Sequence, residues 1–356
     1  MKDILTLGIE SSCDETSVSV VKNGRDILSN VINTQIDIHT LYGGVVPEIA
    51  SRNHILNISA VMHEALKQAN VELENIDNIA VTNGPGLVGA LLVGLSYAKG
   101  LSYATKKPLN GVNHIEGHIA ANYITHKDLK PPFLCMMMSG GNTQIIHVKN
   151  YTEFEVLGRT VDDAVGEAFD KIARVIGLGY PGGPKVDKMG QTGEANIELP
   201  KTHFDNMDFS FSGIKTAVIN LHHKNPEINK ADLCKSFEKT VAEILINTIK
   251  KAIEFTGENK IVLAGGVSAN TYIRSEFEKL ENVKVYMPDL KLCTDNAAMI
   301  ASSGYYNFIN NKIDDFIARW GIGENTTNLE LTQMINKHRV GSREDLNKQN
   351  ELKIWR

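Results

Sequence analysis

The chain of 356 residues contains 42% hydrophobic and 22% charged residues, the composition of an ordinary globular protein with apolar material for about two domains. Its formal net charge of −5 argues against a protein that coats nucleic acid, although a local basic patch can still bind RNA. The apolar stretches are shorter than the roughly 20 residues of a membrane span, and the N-terminus is unlike a signal peptide. The four cysteines are scattered and form no C-x-x-C pair. These features predict a soluble, cytoplasmic protein.

The first part of the chain predicts a three-stranded meander followed by helices and a further strand. Strands are predicted near 4–9, 17–21 and 27–32, with polar turns between them. Apolar residues at helical spacing predict a helix over 54–69. The segment NIAVTNGPG predicts a strand that runs into a glycine turn, and the apolar residues after Gly86 predict a closely packed helix.

A similar order begins again at Pro132. The segment PFLCMMMSGGNTQIIHV predicts two strands around a Gly-Gly turn, and EFEVLGRT predicts a third strand. Apolar spacing predicts a helix over 231–257, and KIVLAGGVSANTYIRSEFEKL then predicts a strand, a Gly-Gly turn and a helix. The segment GLGYPGGPKVDKMGQTGEA is rich in glycine, which favours a functional loop that carries Lys185 and Asp187. The repeated order predicts two α/β lobes with a cleft between them; the alternative is two unrelated α/β domains.

Three polar turns, each directly after an apolar strand, predict a nucleotide-binding cleft. IESSCDETS offers hydroxyl groups and carboxylates, MMSGGNTQ offers a Gly-Gly pair at 140–141, and AGGVSAN offers a second such pair and Asn270. Exposed backbone amides in tight turns bind anions, and glycine lets a phosphate approach the backbone. No turn matches a Walker loop or a dinucleotide fingerprint.

The segment GVNHIEGHIAANY places His114 and His118 on one face of a predicted helix, where they can share a metal ion. The peptidase pattern H-E-x-x-H requires Glu directly after the first histidine, but the acid here is Glu116, one residue further on. A rotation of about 100° per residue moves that carboxylate away from a metal-bound water, so a peptidase is a poor match. Asp295, at a predicted helix start, is the candidate third ligand, although Asp there also serves as a simple N-cap. Such a donor set suits Fe(II), Zn(II) or a similar ion.

Two further segments carry polar groups of interest. Asp170 and Asp187 are candidates to accept hydrogen bonds from a ligand's hydroxyl or ammonium groups, whereas Glu167 and Lys171 have the spacing of an ordinary helical ion pair. The segment DFSFSGIKTAV presents candidates for binding an anion or an RNA phosphate near a helix start: Ser210, Ser212 and Lys215.

Taken together, these segments resemble the TsaD family, the tRNA N6-adenosine threonylcarbamoyltransferases, in its bacterial form. The resemblance covers about residues 3–320 and runs in order through LGIESSCDETSVSVV, GGVVPEIASRNHI, NGPGLVGALLVG, NHIEGH, MSGGNTQI, RTVDDAVGEAFDKIARVIGLGYPGGP, FSFSGIKTA, GGVSAN and CTDNAAMIA. It implies the α/β fold of actin, sugar kinases and heat-shock ATPases, with duplicated RNase H-like lobes around a nucleotide cleft. The lobes would span 1–130 and 131–320, followed by a polar extension at 321–356.

The resemblance implies an acyltransferase that moves the L-threonylcarbamoyl group from threonylcarbamoyl-AMP to N6 of adenosine 37 in tRNAs that read codons beginning with A, with release of AMP. His114, His118 and Asp295 would hold one divalent metal ion, iron(II) or alternatively zinc(II), and act in catalysis through it. The adenylate would be held by a second set of residues: Met137, Met138, Ser139, Gly140, Gly141, Asp170, Gly183, Asp187 and Asn270. The sequence identifies no general base for the N6 amine.

The implied partners are tRNA, a paralogous non-catalytic subunit (TsaB-like), a small P-loop ATPase (TsaE-like) and an upstream synthase that supplies threonylcarbamoyl-AMP, with no membrane involved. Two alternative functions are a metal-dependent peptidase, which the position of Glu116 disfavours, and a non-catalytic nucleotide-binding scaffold, which has no use for an open metal site.

Overall fold

The structure is a computed structural model that describes residues 2–312, so the predicted extension at 321–356 lies outside the described residues. A first five-stranded sheet has the order β3-β2-β1-β4-β5. Its strands are β1 (Leu5–Glu10), β2 (Glu15–Lys22), β3 (Asp26–Thr34), β4 (Asn78–Gly84) and β5 (Leu109–Asn113). The first three strands form an antiparallel meander, as predicted, and β4 and β5 run parallel to β1.

A second five-stranded sheet repeats this topology with the order β10-β9-β6-β7-β8. Its strands are β6 (Phe133–Met138), β7 (Thr143–Asn150), β8 (Glu153–Arg159), β9 (Lys260–Ala264) and β10 (Lys284–Tyr286). Again a meander comes first, and two parallel strands are then added on the other side of its first strand. The shared topology confirms the predicted duplication and argues against two unrelated domains.

Among the helices within residues 2–312, two lie between the sheets, and four others pack on the outer faces of the sheets. The helices are α1 (Ile36–Thr40), α2 (Pro47–Ala69), α3 (Val88–Thr105), α4 (His114–Thr125), α5 (Val165–Val175), α6 (Gly182–Gly190), α7 (Ser212–Lys224), α8 (Lys230–Thr256), α9 (Thr271–Glu278) and α10 (Ala297–Ile309). Side chains alternate across β1, so Leu7 and Ile9 pack against α2 and α3 while Gly8 faces α10. In β6, Met136 likewise packs with α5 and α8, and Met137 with α4. Helices α4 and α10 therefore pack on each other between the sheets.

Two sequence-based assignments require correction. The segment interpreted as a glycine-rich loop contains α6, whose glycines allow close packing: a Cβ on Gly182 would lie 2.6 Å from the Cα of Asp170. Helix α2 begins at Pro47, two turns before the predicted start, because proline is well suited to a first helical position. The helix predicted over 231–257 is observed as α8. None of the helices within residues 2–312 is both long and apolar enough to cross a bilayer.

Candidate metal centre and nucleotide cleft

The three predicted metal ligands come from distant segments and meet between the two sheets. Helix α4 starts directly after β5, so His114 is its first residue and His118 follows one turn later on the same face. Asp295 precedes Asn296, which is the N-cap of α10 and accepts a hydrogen bond from the backbone N of Met299. Because Asn296 caps the helix, the Asp295 carboxylate is available to the two imidazoles.

The geometry of this cluster suits a divalent ion. The Nε2 atoms of His114 and His118 lie 3.3 and 3.2 Å from Oδ1 of Asp295 and 3.1 Å from each other. One ligand atom from each residue lies within 4.8 Å of the others, and both imidazoles are buried. Two imidazole nitrogens and a carboxylate oxygen that face one point form a recognised donor set for a transition metal, so the residues fit such an ion.

A buried carboxylate, that of Glu10, contacts the far side of the first imidazole. Its Oε2 lies 3.1 Å from Nδ1 of His114 and also accepts a hydrogen bond of 2.6 Å from Oγ1 of Thr82, while its Oε1 accepts from the backbone N of Ser12. A carboxylate at Nδ1 holds the ring proton there and leaves the Nε2 lone pair for a metal. In the sequence, Glu10 is one of several acids of the first polar turn. The contact follows from its position at the end of β1, in the same sheet as β5, and therefore depends on the strand order.

The carboxylates and imidazoles of the cluster shift one another's pKa values. Burial raises the pKa of Asp295, but the neighbouring His114 and His118 outweigh burial and hold this pKa far below its usual value. Burial lowers the pKa of His114, whereas the carboxylates of Asp295 and Glu10 together raise it well above its usual value. Burial also lowers the pKa of His118, more than its hydrogen bond to Asp295 raises it. Asp295 is therefore ionised and His118 neutral, the states in which these groups bind metal, whereas a metal ion must displace a proton from His114.

Glu116, the acid between the two histidines, does not join the cluster. Within the described part of the chain, the candidate ligand group at this place consists of His114, His118 and Asp295. Burial raises the pKa of Glu116 to about 7. The site therefore lacks the acid that a peptidase of the H-E-x-x-H type requires beside its metal.

The hydroxyl groups of the first polar turn hold neighbouring helices. Oγ of Ser11 donates to the carbonyl of Ala90 and accepts from the backbone N of Gly94, both in α3. Oγ1 of Thr16 lies 2.7 Å from Nδ1 of His54 in α2. These predicted anion-binding hydroxyls are thus used to fix the turn that carries Glu10.

The second and third turns lie side by side, because β6 and β9 are parallel neighbours. A Cβ added to any of four glycines there or in α6 would meet no atom within 4 Å: Gly140, Gly141, Gly183 and Gly266. A Cβ on Gly166 would instead lie 2.7 Å from the carbonyl oxygen of Ser139, so this glycine lets α5 pack on the turn. Met137 and Met138 are fully buried and can offer only backbone groups to a ligand. The open glycines let an anionic ligand approach the backbone closely.

The predicted polar ligand-binding residues are held in place by hydrogen bonds around this cleft. Oδ1 of Asp170 accepts from the backbone N of Gly182 at 2.7 Å, and burial raises the pKa of Asp170. The carboxylate of Asp187 accepts from the backbone N and Oγ1 of Thr271 at 3.0 and 2.5 Å. The side chain of Asn270 caps α9 through its oxygen and donates from Nδ2 to Oε1 of Glu238 at 2.7 Å. Glu238 was missed in the sequence, where it is one charged residue in a long helix.

The candidate anion site near α7 is occupied by carboxylates. Asp162 accepts hydrogen bonds from Oγ of Ser210 and from the backbone N of Ser212, and Lys215 pairs with Asp163. These groups fix the start of α7. The ion pair predicted between Glu167 and Lys171 is observed at 2.7 Å.

Solved structures with the same architecture show the fold. Full-length HypF, in a phosphate- and nucleotide-bound form, superposes with a TM-score of 0.59 at 16% identity. The superposition covers 86% of this chain and 46% of the HypF chain. Component A of the (R)-2-hydroxyglutaryl-CoA dehydratase of Acidaminococcus fermentans superposes with a TM-score of 0.52 at 15% identity. This superposition covers 85% of the present chain and 98% of component A. The chain therefore shares its duplicated α/β fold with these proteins.

Sequence comparisons identify the family. The family model described as TsaD, tRNA N6-adenosine threonylcarbamoyltransferase, matches residues 26–302. A protein of that name from Clostridium novyi is 57% identical over 323 residues, which cover 88% of this chain and 95% of the relative. A protein of the same name from Clostridioides difficile is 55% identical over 325 residues, which cover 88% and 96%. The chain belongs to the TsaD family of tRNA N6-adenosine threonylcarbamoyltransferases.

Proposed function

We propose that the chain transfers the L-threonylcarbamoyl group from threonylcarbamoyl-AMP to N6 of adenosine 37 in tRNAs that read codons beginning with A, and that AMP is released. One observation carries the proposal beyond family membership: the side chains of His114, His118 and Asp295 converge between the two sheets, and the glycine turns after β6 and β9 of the second sheet offer open backbone to an anionic ligand. A metal centre and an adenylate cleft in one fold are what this transfer requires.

The proposed metal ligands are His114 and His118 through Nε2 and Asp295 through its carboxylate, and the proposed ion is iron(II), with zinc(II) as the alternative. When bound there, a divalent ion supplies Lewis acidity toward a carbonyl or phosphate oxygen of the substrate. Glu10 orients the first imidazole through Nδ1. The carboxylate of Asp295 keeps some exposure, 22% of its side chain, so the cluster is accessible from solvent on that side.

The proposed adenylate site uses the backbone around Gly140 and Gly141 for the phosphate, and Asp170, Gly183, Asp187 and Asn270 for the nucleoside. An acyl adenylate already carries a good leaving group, so the residues of the chain mainly need to position it and to exclude competing orientations. Backbone amides held by tight turns suit this role, because they need no reorganisation when charge develops.

The proposed partners are tRNA, a TsaB-like paralogous subunit, a TsaE-like P-loop ATPase and the synthase that supplies the adenylate, all in the cytoplasm. The outer face of α2 supports a docked subunit, because Ile55 and Leu56 there are 64% and 72% exposed, and Tyr103 on the neighbouring α3 is 74% exposed. We expect the purified single chain to show little transfer without partners; multiple turnover by it alone would refute this dependence.

The test is mass analysis of tRNA nucleosides after depletion of the chain in its host. We expect threonylcarbamoyladenosine to disappear and to return with the wild-type chain or with His223→Ala, a matched control at an exposed histidine of α7. The variant His118→Ala should not restore it, because two ligand atoms hold a metal poorly. An unchanged nucleoside level after depletion would refute the proposed reaction, and rescue by His118→Ala would favour the scaffold.

A further inference from the structure

A buried carboxyl group in the middle of α8, that of Glu238, has no role in the proposed reaction. Its side chain is fully buried. Oε1 accepts the hydrogen bond of 2.7 Å from Nδ2 of Asn270, whereas Oε2 has no hydrogen-bond partner among the residues that the structure describes. Burial of an incompletely paired carboxyl group is unfavourable, so its presence requires a physical reason.

Three neighbouring segments form the surroundings of Glu238. Gly190 at the end of α6 gives the carboxyl group its space, because a Cβ there would collide with Oε2. Asp187, one turn earlier on α6, interacts with Glu238 and accepts both of its own hydrogen bonds from Thr271. Asn270 stands directly before Thr271. Glu238 thus contacts two of the three polar residues that are proposed to hold the nucleoside.

The hydrogen bonds of Asn270 leave it one orientation. Its amide oxygen accepts from the backbone N of Ile273, and one N–H donates to Glu238. An amide has two N–H donors and two lone pairs, so one donor and one acceptor remain for a ligand. If the amide were flipped, its NH₂ group would face the N–H of Ile273, which is unfavourable. The contacts with Ile273 and Glu238 together therefore determine what Asn270 can offer.

The surroundings also keep Glu238 uncharged. Burial raises the pKa of Glu238 to about 8; the hydrogen bond from Asn270 opposes this rise and the charge of Asp187 adds to it. Further titratable groups that interact with it are Lys235 on the same helix, which lowers the pKa, Cys234 beside Lys235, and Tyr272 of α9. At neutral pH the acid is mostly protonated and adds no negative charge beside an anionic nucleotide.

We propose that Glu238 is a positioning residue of the nucleoside site, which fixes the Asn270 amide in one orientation beside Asp187. The inference rests on the proposed function, because it takes Asp187 and Asn270 as the nucleoside-binding residues. Two consequences follow. Removal of the hydrogen bond to Asn270 weakens nucleotide binding, and ionisation of Glu238 above neutral pH weakens binding of an anionic nucleotide.

The test is calorimetric titration of the full-length chain with AMP at pH 7 and pH 9, because the phosphate of AMP is almost fully ionised at both values. We expect the wild-type affinity to fall about fivefold between these values. Glu238→Gln keeps a neutral group of the same shape, so it should bind AMP within about twofold of wild type at pH 7 and show no such fall. Glu238→Leu lacks the acceptor for Asn270 and should bind about tenfold more weakly at pH 7. Glu243→Gln, which removes a surface carboxylate from the same helix, should behave as wild type.

Wild-type affinity in Glu238→Leu, or a pH-dependent fall that Glu238→Gln retains, would overturn the inference. If the leucine variant does not fold by circular dichroism, the comparison of wild type with Glu238→Gln decides alone. Absence of AMP binding by the wild-type chain would overturn the inference together with the proposed adenylate site. AMP binding that depends on Glu238, in a chain whose depletion leaves threonylcarbamoyladenosine unchanged, would sustain the inference and refute only the transfer reaction.

Discussion

The variant Glu10→Gln should bind the metal ion more weakly although Glu10 is not a proposed ligand. Oε1 of Glu10 accepts from the backbone N of Ser12, so the oxygen of a glutamine amide must remain there. The NH₂ group then takes the place of Oε2, 3.1 Å from Nδ1 of His114. It donates to Nδ1, as the hydroxyl group of Ser12 at 3.2 Å from this atom also can, and the ring proton of His114 moves to Nε2. That atom faces Asp295, and once protonated it has no lone pair for a metal.

The expected magnitude follows from the energy of this tautomer change. Substitution of the groups that orient a metal-binding histidine typically lowers metal affinity by about 10- to 100-fold, which corresponds to about 1.4 to 2.7 kcal/mol. Thr82→Val is the matched control, because it removes one hydrogen bond to Glu10 but keeps the carboxylate and hence the tautomer of His114. We expect its affinity to remain within about threefold of wild type.

The assay is calorimetric titration of the metal-free chain with Zn(II), and with Fe(II) under anaerobic conditions, for wild type and both variants. Thermal unfolding without metal shows whether each variant is folded. Wild-type metal affinity in a folded Glu10→Gln variant would refute the tautomer argument. An equal loss in Thr82→Val would also count against it, because that loss would arise from disturbed packing of the turn.

Four further predictions concern separate parts of the molecule. Gly140→Ala should leave the thermal midpoint unchanged but weaken AMP binding at least about tenfold. Gly166→Ala should also lower the free energy of unfolding by about 1 to 3 kcal/mol, because its Cβ would collide with the backbone of the adjacent turn. Equal stability of the two variants would contradict the different roles of these glycines. Leu56→Arg, at a side chain 72% exposed, should abolish association with a TsaB-like subunit in size-exclusion chromatography without loss of fold, and an intact complex would place the partner elsewhere. The pKa of Glu238 is about 8 in the folded chain against an ordinary value of 4.5, so between these pH values the folded chain retains a proton that the unfolded chain has released. The free energy of unfolding should therefore fall as pH rises from 4.5 to about 8, and Glu238→Gln should flatten this fall in urea unfolding. Parallel pH curves for wild type and Glu238→Gln would refute the raised pKa of Glu238. A divalent metal ion at about 100 times its dissociation constant should stabilise the wild type by about 2.7 kcal/mol in urea unfolding but should not stabilise Asp295→Ala. An equal gain in the free energy of unfolding of Asp295→Ala would place the ion elsewhere.

Sequence patterns predicted the elements whose signal is local. The three strands of each meander and the long helix α8 follow from apolar periodicity, and the helical position of the two histidines follows from their spacing. Helix α6 was not predicted, because its glycines resemble those of a loop until the structure shows that Gly182 touches Asp170. The capping ambiguity at Asp295 also required coordinates, since Asn296 next to it could equally have been the residue directed at the imidazoles.

The supporting residues of the site could not be predicted, because their contacts depend on the order of strands and helices in space. Glu10 reaches His114 across 104 residues of sequence, since β1 and β5 end at the same edge of the first sheet. Glu238 reaches Asn270 because α8 passes beneath the start of α9. Neither carboxylate stands out in the sequence, where charged residues are common on helices and in turns. Only its burial distinguishes each from a surface acid.

The position of the metal centre follows from close packing of small residues between the sheets. Gly8 in the middle of β1 lets α10 lie directly on the first sheet, because a Cβ there would lie 2.7 Å from the backbone N of Ala301. Gly117 lies between the two histidines, and a Cβ on it would lie 2.7 Å from the side chain of Ile300. Both glycines bring the start of α10, and Asp295 with it, against the first turn of α4. Position 117, where the inverted pattern H-x-x-E-H would require glutamate, is therefore glycine because a helix contact needs the space. The departure from the peptidase patterns is thus part of the packing that assembles the three ligands.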